Sequence, residues 1–317
     1  MDKIKLAILD GNAVNPGDLT WDAFKEFADI TVYKRTLQNE VIDRVKEFDA
    51  IFVNKVIISE EILNQLPKLK YIGVCATGYN VIDLKACAKR NITVTNVPAY
   101  STDAVAQHVF ALITNFTSNV ALHSQSVHNG GWVRSPDFVY WEKPLMELAG
   151  KTLGIFGYGS IGKKVAEIGK AFGMKVICCT RTPKKDMPEA VTKEELFKRS
   201  DFLSLHAPLT DQTKNMINKE TLSLMKSSAY LINTARGGFV VEQELAECLK
   251  AGKIAGYAAD VISVEPMTPD NPLLGCPNCV LTPHIAWAPK ETRERLMGVC
   301  LSNLKAWLSG KPENVVS

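Results

Sequence analysis

Three glycines in the pattern Gly157-x-Gly159-x-x-Gly162 follow an apolar run at 153–156 and open a helical pattern from about residue 160 to 172, ahead of a second apolar run, KVICCT. This spacing suits the binding of a pyrophosphate. The first glycine permits a tight turn, the second lets phosphates approach the backbone, and the third lets helix and strand pack closely. The free N–H groups at the helix start then face the anion. Glycine triples alone arise by chance, so the flanking strand and helix carry the reading. The candidate contacts to a dinucleotide are Gly157, Tyr158, Gly159, Ser160, Ile161 and Gly162.

An acidic residue at the end of the second strand would accept hydrogen bonds from the adenosine ribose and repel a 2′-phosphate. Here the chain has Thr180-Arg181-Thr182, followed by Lys184 and Lys185. Two hydroxyls, a guanidinium and nearby ammonium groups suit a phosphate dianion. The expectation is therefore NADP(H) ahead of NAD(H), with an Arg181 that stacks on adenine or is simply solvated as the alternative. Three further polar residues follow: Arg236 in LINTARGG, Glu265 in AADVISVEP and His284 in LTPHIAW. Each ends or follows an expected strand, where an open α/β sheet gathers its ligand crevice. An isolated Arg or His is more often structural, but three at strand ends after a nucleotide fingerprint form a candidate catalytic set.

The elements that must position them read clearly. Apolar runs alternate with helical patterns from KLAILD to YIGVCA, and again from TLGIFG to NCVLTPH, which is the pattern of parallel sheets with crossover helices. The expected fold class is α/β with two doubly wound parallel-sheet domains, a Rossmann nucleotide-binding domain inserted in a flavodoxin-like substrate domain. The expected bounds are 1–100 with 286–317 for the substrate domain and 101–285 for the inserted one. The terminal helical segment is expected to return to the first domain, and the junctions near Pro98 and Pro283 are proline-marked. Between the two α/β units lies a helical pattern of about 27 residues from Thr102 to Gly130-Gly131, either a core helix or one that also pairs with a second subunit.

The chain has 317 residues, 22% charged and 46% hydrophobic, with a formal net charge of +3. Its basic residues are scattered, so no nucleic-acid footprint is expected. No apolar run approaches a membrane span, and a cytoplasmic location is the expectation. The eight cysteines read as reduced thiols, and the pair Cys276-Pro-Asn-Cys279 stands without a second pair or a His cluster, so no metal is assigned.

With ATGYNVIDL, NVPAYSTDAVAQHVFALI, LAGKTLGIFGYGSIG, HAPLT, NTARGG and TPHIAW in this order, the sequence resembles the D-isomer-specific 2-hydroxyacid dehydrogenases over nearly its whole length. Trp132, the DFVYWEKP segment and Trp287 make it most similar to their glycerate dehydrogenase (hydroxypyruvate reductase) branch. The resemblance implies reduction of a small 2-oxo acid, hydroxypyruvate or glyoxylate being favoured, with pyruvate and longer 2-oxo acids left open. Arg236 would grip substrate oxygens and polarise the carbonyl. His284, which would also touch the cofactor, would donate the proton. Glu265 would bond the other imidazole nitrogen, fixing the tautomer and favouring the charged ring.

By the same resemblance, backbone N–H groups at Thr77 and Gly78 would hold the substrate carboxylate. Lys55 is a further candidate, a solvated lysine being the alternative, and Trp287 would wall the substrate pocket. Asp260 would accept a hydrogen bond from the nicotinamide carboxamide, while His206, Ala207, Pro208, Thr213, Thr234 and Ala235 would line the cofactor channel. A homodimer built through the long helix is also implied. A function of another class, a nucleotide-sensing corepressor-like binding protein, would use the same fold; turnover of a 2-oxo acid separates the two.

Overall fold

A computed structural model describes residues 3–183, 185 and 187–317. The chain divides into two compact units: residues up to Ser101 together with Ala288–Ser317, and Thr102–Trp287.

The first unit is a five-stranded parallel sheet: β1 (Ile4–Ile8), β2 (Ala28–Val32), β3 (Ala50–Val53), β4 (Tyr71–Val74) and β5 (Thr93–Thr95), in the order β2-β1-β3-β4-β5. This is the flavodoxin-like order. β3 and β4 are buried at every residue, which explains their unbroken apolar runs. One face packs Ile51, Val53, Ile72 and Val74 into an aliphatic core. The other carries a row of aromatic contacts running Trp21, Phe24, Phe52, Tyr71, Trp307. Trp307 belongs to the helix Lys290–Leu308, so this terminal segment covers the second face of the first sheet. Gly73 makes room for the row, since a β-carbon there would fall 2.0 Å from the Phe52 ring.

The second unit is a seven-stranded parallel sheet of β6 (Thr152–Phe156), β7 (Lys175–Cys179), β8 (Glu189–Ala190), β9 (Phe202–Leu205), β10 (Tyr230–Asn233), β11 (Gly256–Ala259) and β12 (Cys279–Leu281). Their order is β12-β11-β10-β9-β6-β7-β8, the Rossmann order, which reverses direction between β6 and β9. Alternate residues fill two cores. Leu203, Leu205, Leu231 and Tyr257 face one side, while Phe202, Ile232 and Ala258 face the other.

Three local expectations differ from what is observed. Between KLAILD and YIGVCA the sequence suggests a helix at WDAFKEFA, but that segment forms only a short 3-10 turn, Asp22–Glu26. The short strands β5 and β8 were not visible as apolar runs. The long helix is two helices, Thr102–Ser118 and Val120–His128, broken at Asn119 with φ 47°. Asn tolerates the left-handed region better than other residues with a β-carbon, and its Nδ2 donates to Phe116 O at 2.9 Å, capping the first helix.

The break predicts a substitution series. Asn119→Val should destabilise the protein by about 1–2 kcal/mol in denaturant unfolding, and Asn119→Gly by clearly less. Equal losses would show that the backbone conformation is not what Asn119 supplies.

Candidate active site

In the second unit, every sequence-derived candidate lies beyond the carboxyl end of a strand. Gly157 follows β6, Thr180 follows β7, His206 follows β9, Thr234 follows β10, Asp260 follows β11, and His284 comes just after β12. The sheet reverses between the Gly157 and His206 strands, and their backbones meet closely there. Gly157 has φ 96°, and a β-carbon on it would sit 2.6 Å from Ala207 N. Gly162 is equally constrained, with its missing β-carbon 2.1 Å from Gly157 O.

Gly159 is different. It is the N-cap of the helix Ser160–Ala171, it offers no side-chain cap, and a β-carbon there would meet nothing among the described residues within 4 Å. Its backbone therefore opens onto free space at a helix N-terminus, which fits a pyrophosphate. At the end of β10, Thr234 Oγ1 is, among the described residues, a buried side-chain oxygen without a hydrogen-bond partner, open to accept from or donate to a bound group. Thr180 is half-buried and Arg181, Thr182 and Lys185 are exposed; Lys184 lies outside the described residues.

The His206 ring contacts Ser204 Oγ at 2.8 Å, and desolvation lowers its pKa, so it is held neutral. Pro208 O accepts from Thr213 Oγ1 at 2.9 Å, which closes the loop after β9. Arg236 is exposed at the end of a turn braced by the buried Asn233. The Asn233 side chain accepts from Ala235 N at 3.0 Å and donates to Arg236 O at 2.9 Å. Behind it Gly237 presses on the Ile262–Ser263 backbone, where a β-carbon would fall 1.8 Å from Ile262 C.

Glu265 and His284 meet. Glu265 Oε2 lies 2.6 Å from His284 Nδ1, so a proton on Nδ1 faces the carboxylate and Nε2 is the nitrogen turned elsewhere. His284 has φ 55°, an uncommon backbone state for a residue with a β-carbon. The next two amides are tied to Asp260, with Ile285 N to Oδ1 at 2.8 Å and Ala286 N to Oδ2 at 2.7 Å. Asp260, expected at the carboxamide of a cofactor, is only 1% exposed and also accepts from Thr282 Oγ1 at 2.6 Å. Its visible work is therefore to hold the His284 turn. Trp287 is half-buried just beyond.

In the first unit, Lys55 and Thr77-Gly78 follow β3 and β4. The Asp10 carboxylate accepts from Asn54 N at 2.8 Å and Lys55 N at 2.6 Å, which fixes the Lys55 turn; burial raises the Asp10 pKa. Thr77 is held by its hydroxyl and its carbonyl, with Oγ1 donating to Val97 O at 2.8 Å and the carbonyl accepting from Asn96 Nδ2 at 2.7 Å. Sequence reasoning missed Asp10, Thr282 and His108. Their partners lie far along the chain, and no local motif marks such pairs.

Comparison with known proteins shows the family to which the chain is similar. The family model described as D-isomer specific 2-hydroxyacid dehydrogenase, NAD binding domain, matches residues 110–286. A hydroxypyruvate reductase of Blautia hydrogenotrophica is 41% identical, covering 99% of this chain and 100% of that one. A glycerate dehydrogenase of Methylorubrum extorquens is 41% identical over 87% of this chain and 88% of its own length. Among solved structures, an NADPH-dependent glyoxylate/hydroxypyruvate reductase from Sinorhizobium meliloti, in complex with NADP and malonate, superposes with a TM-score of 0.85. That protein is 29% identical, and the match covers 100% of this chain and 97% of that one.

The glycines predict separable outcomes. Gly159→Val should weaken dinucleotide binding at least about tenfold, measured by fluorescence titration, with little change in melting temperature. Gly157→Ala should lower the melting temperature instead. If Gly159→Val bound the dinucleotide as wild type does, the cradle would lie elsewhere.

Proposed function

The chain belongs to the D-isomer-specific 2-hydroxyacid dehydrogenases, and from that premise we propose that it reduces a small 2-oxo acid, hydroxypyruvate or glyoxylate, to the D-2-hydroxy acid with His284 as proton donor. The observation that carries this reading is the 2.6 Å contact between Glu265 and His284 Nδ1. With Nδ1 committed to the carboxylate, Nε2 is the nitrogen left to deliver a proton to a substrate oxygen. A bound reduced nicotinamide supplies the hydride for the carbonyl carbon.

The rest of the work falls to the protein. Arg236 takes the substrate oxygens and polarises the carbonyl, so that negative charge growing on oxygen meets a fixed cation. His284 then gives its proton to that oxygen, and Glu265 stabilises the imidazolium before transfer and holds the ring plane. Backbone amides of Thr77 and Gly78, with Lys55, are the proposed contacts to the substrate carboxylate, and Trp287 the proposed apolar wall. The relatives named for hydroxypyruvate and glycerate support the substrate class.

For the cofactor we favour NADP(H). Thr180, Arg181, Thr182 and Lys185 present hydroxyls and cations at the end of β7, and the similar reductase from Sinorhizobium meliloti was solved with NADP. Asp260 and the loops at 206–208, 213 and 234–235 complete the proposed cofactor contacts.

Initial rates with hydroxypyruvate, glyoxylate, pyruvate and 2-oxoisocaproate, each with NADH and NADPH, test these points together. Hydroxypyruvate with NADPH should be preferred. His284→Ala should lower kcat by about 10²- to 10⁴-fold, far more than it changes cofactor affinity. An NADH preference would overturn the 2′-phosphate assignment alone, and cofactor binding without turnover of any acid would overturn the enzyme reading.

We also propose a homodimer. The segment after the helix Val120–His128 exposes large apolar side chains, with Val133 and Phe138 each 89% accessible and Trp141 62%. Several large apolar side chains left exposed in one short segment suit a contact surface, and a second copy of this chain is the proposed occupant. Light scattering should give a dimer, converted to monomer by Val133→Asp with Phe138→Asp; a monomeric wild type would contradict it.

A further inference from the structure

We propose that His108 and Thr282 are positioning residues for the proton donor, forming with Asp260 a directed hydrogen-bond chain that holds the His284 turn. The proposal deepens the reading of His284 given above and rests on it for its effect on catalysis.

The direction of the chain follows from counting protons. Asp260 is almost sealed from solvent, and its carboxylate, which can only accept, takes hydrogen bonds from Thr282 Oγ1, Ile285 N and Ala286 N. At 2.6 Å the single hydroxyl proton of Thr282 is therefore committed to Asp260 Oδ1. The hydroxyl oxygen has only lone pairs left for its other neighbour, His108 Nε2, 3.0 Å away. His108 must then carry its proton on Nε2, and the chain runs from His108 Nε2–H to Thr282 Oγ1–H to Asp260. His108 Nε2 also stands 3.7 Å from Asp260 Oδ1, so the ring buttresses the carboxylate directly.

The geometry shows what this chain is placed to do. Thr282 grips the His284 turn from both sides. Its carbonyl accepts from His284 N at 3.0 Å, and its hydroxyl orients the carboxylate that binds the amides of Ile285 and Ala286. His284 lies between these anchors, in the left-handed backbone region, with its ring against Glu265. His108 brings in the helix Thr102–Ser118, a rigid element 174 residues away in sequence from Thr282. A fully satisfied polar network rigidifies the groups it joins, so losing either donor should free the turn and let the imidazole leave its working position.

Thr282→Val removes the hydroxyl at nearly constant volume, and His108→Leu removes the ring donor. Thr282→Ser and His108→Gln restore a hydroxyl and an N–H at the corresponding atoms. In the first pair, hydroxypyruvate kcat should fall about 10- to 100-fold, a larger loss than any in dinucleotide affinity; the second pair should recover to within a few-fold of wild type. Amide hydrogen exchange reads the chain without any substrate. Ile285 and Ala286 should exchange faster in Thr282→Val and His108→Leu, and as wild type in Thr282→Ser and His108→Gln, with protection across Thr102–Ser118 unchanged. Wild-type exchange at Ile285 and Ala286 in the first pair would overturn the proposal, as would equal loss of protection in all four variants. If no 2-oxo acid is turned over, the function fails while the exchange result still decides this inference.

Discussion

A proton donor works only if its ring stands in one place in one tautomer, and for His284, the proposed donor, that condition rests on its hydrogen bond to Glu265. The two residues are 19 apart and arrive from different strand ends. A parallel sheet makes the meeting possible, because every strand delivers its carboxyl end to one edge. β11 sets the position of Asp260, β12 that of His284, and their pairing in register from Tyr257–Cys279 to Ala259–Leu281 fixes the distance between the two loops. The seven-stranded core can thus be seen as the support for a few contacts at its rim.

That rim shows two uses of missing side chains. At Gly157 and Gly237 the glycine permits backbones to touch, and a methyl group would displace Ala207 or Ile262. At Gly159 nothing among the described residues comes within 4 Å of where a β-carbon would sit. The first kind serves packing, while the second leaves open space at the start of a helix, where an anion is favoured. Spacing alone does not separate the two kinds; surroundings do.

Much of the fold was legible because parallel strands buried on both faces write themselves as apolar runs, as KLAILD and YIGVCA do, and because the glycine turn sits between two such runs. The three-residue β5 and two-residue β8 escaped because neither is long enough to set a pattern. The Asn119 break escaped because apolar spacing continues through it. Arg236, Glu265 and His284 could be singled out as strand-end polar residues, yet nothing local announced that Asp260 would spend its carboxylate on the amides of Ile285 and Ala286. Nor does sequence show a positive φ at a histidine, since that state is imposed by contacts from elsewhere in the fold.

The central claim is hydride delivery to a carbonyl carbon with proton delivery to its oxygen at one site. It is tested most directly by reducing hydroxypyruvate with NADPH deuterated at both C4 positions of the nicotinamide, and reading the product by mass spectrometry and chiral chromatography. The account predicts D-glycerate carrying one deuterium at C2. Product without deuterium at C2, or L-glycerate, would contradict it.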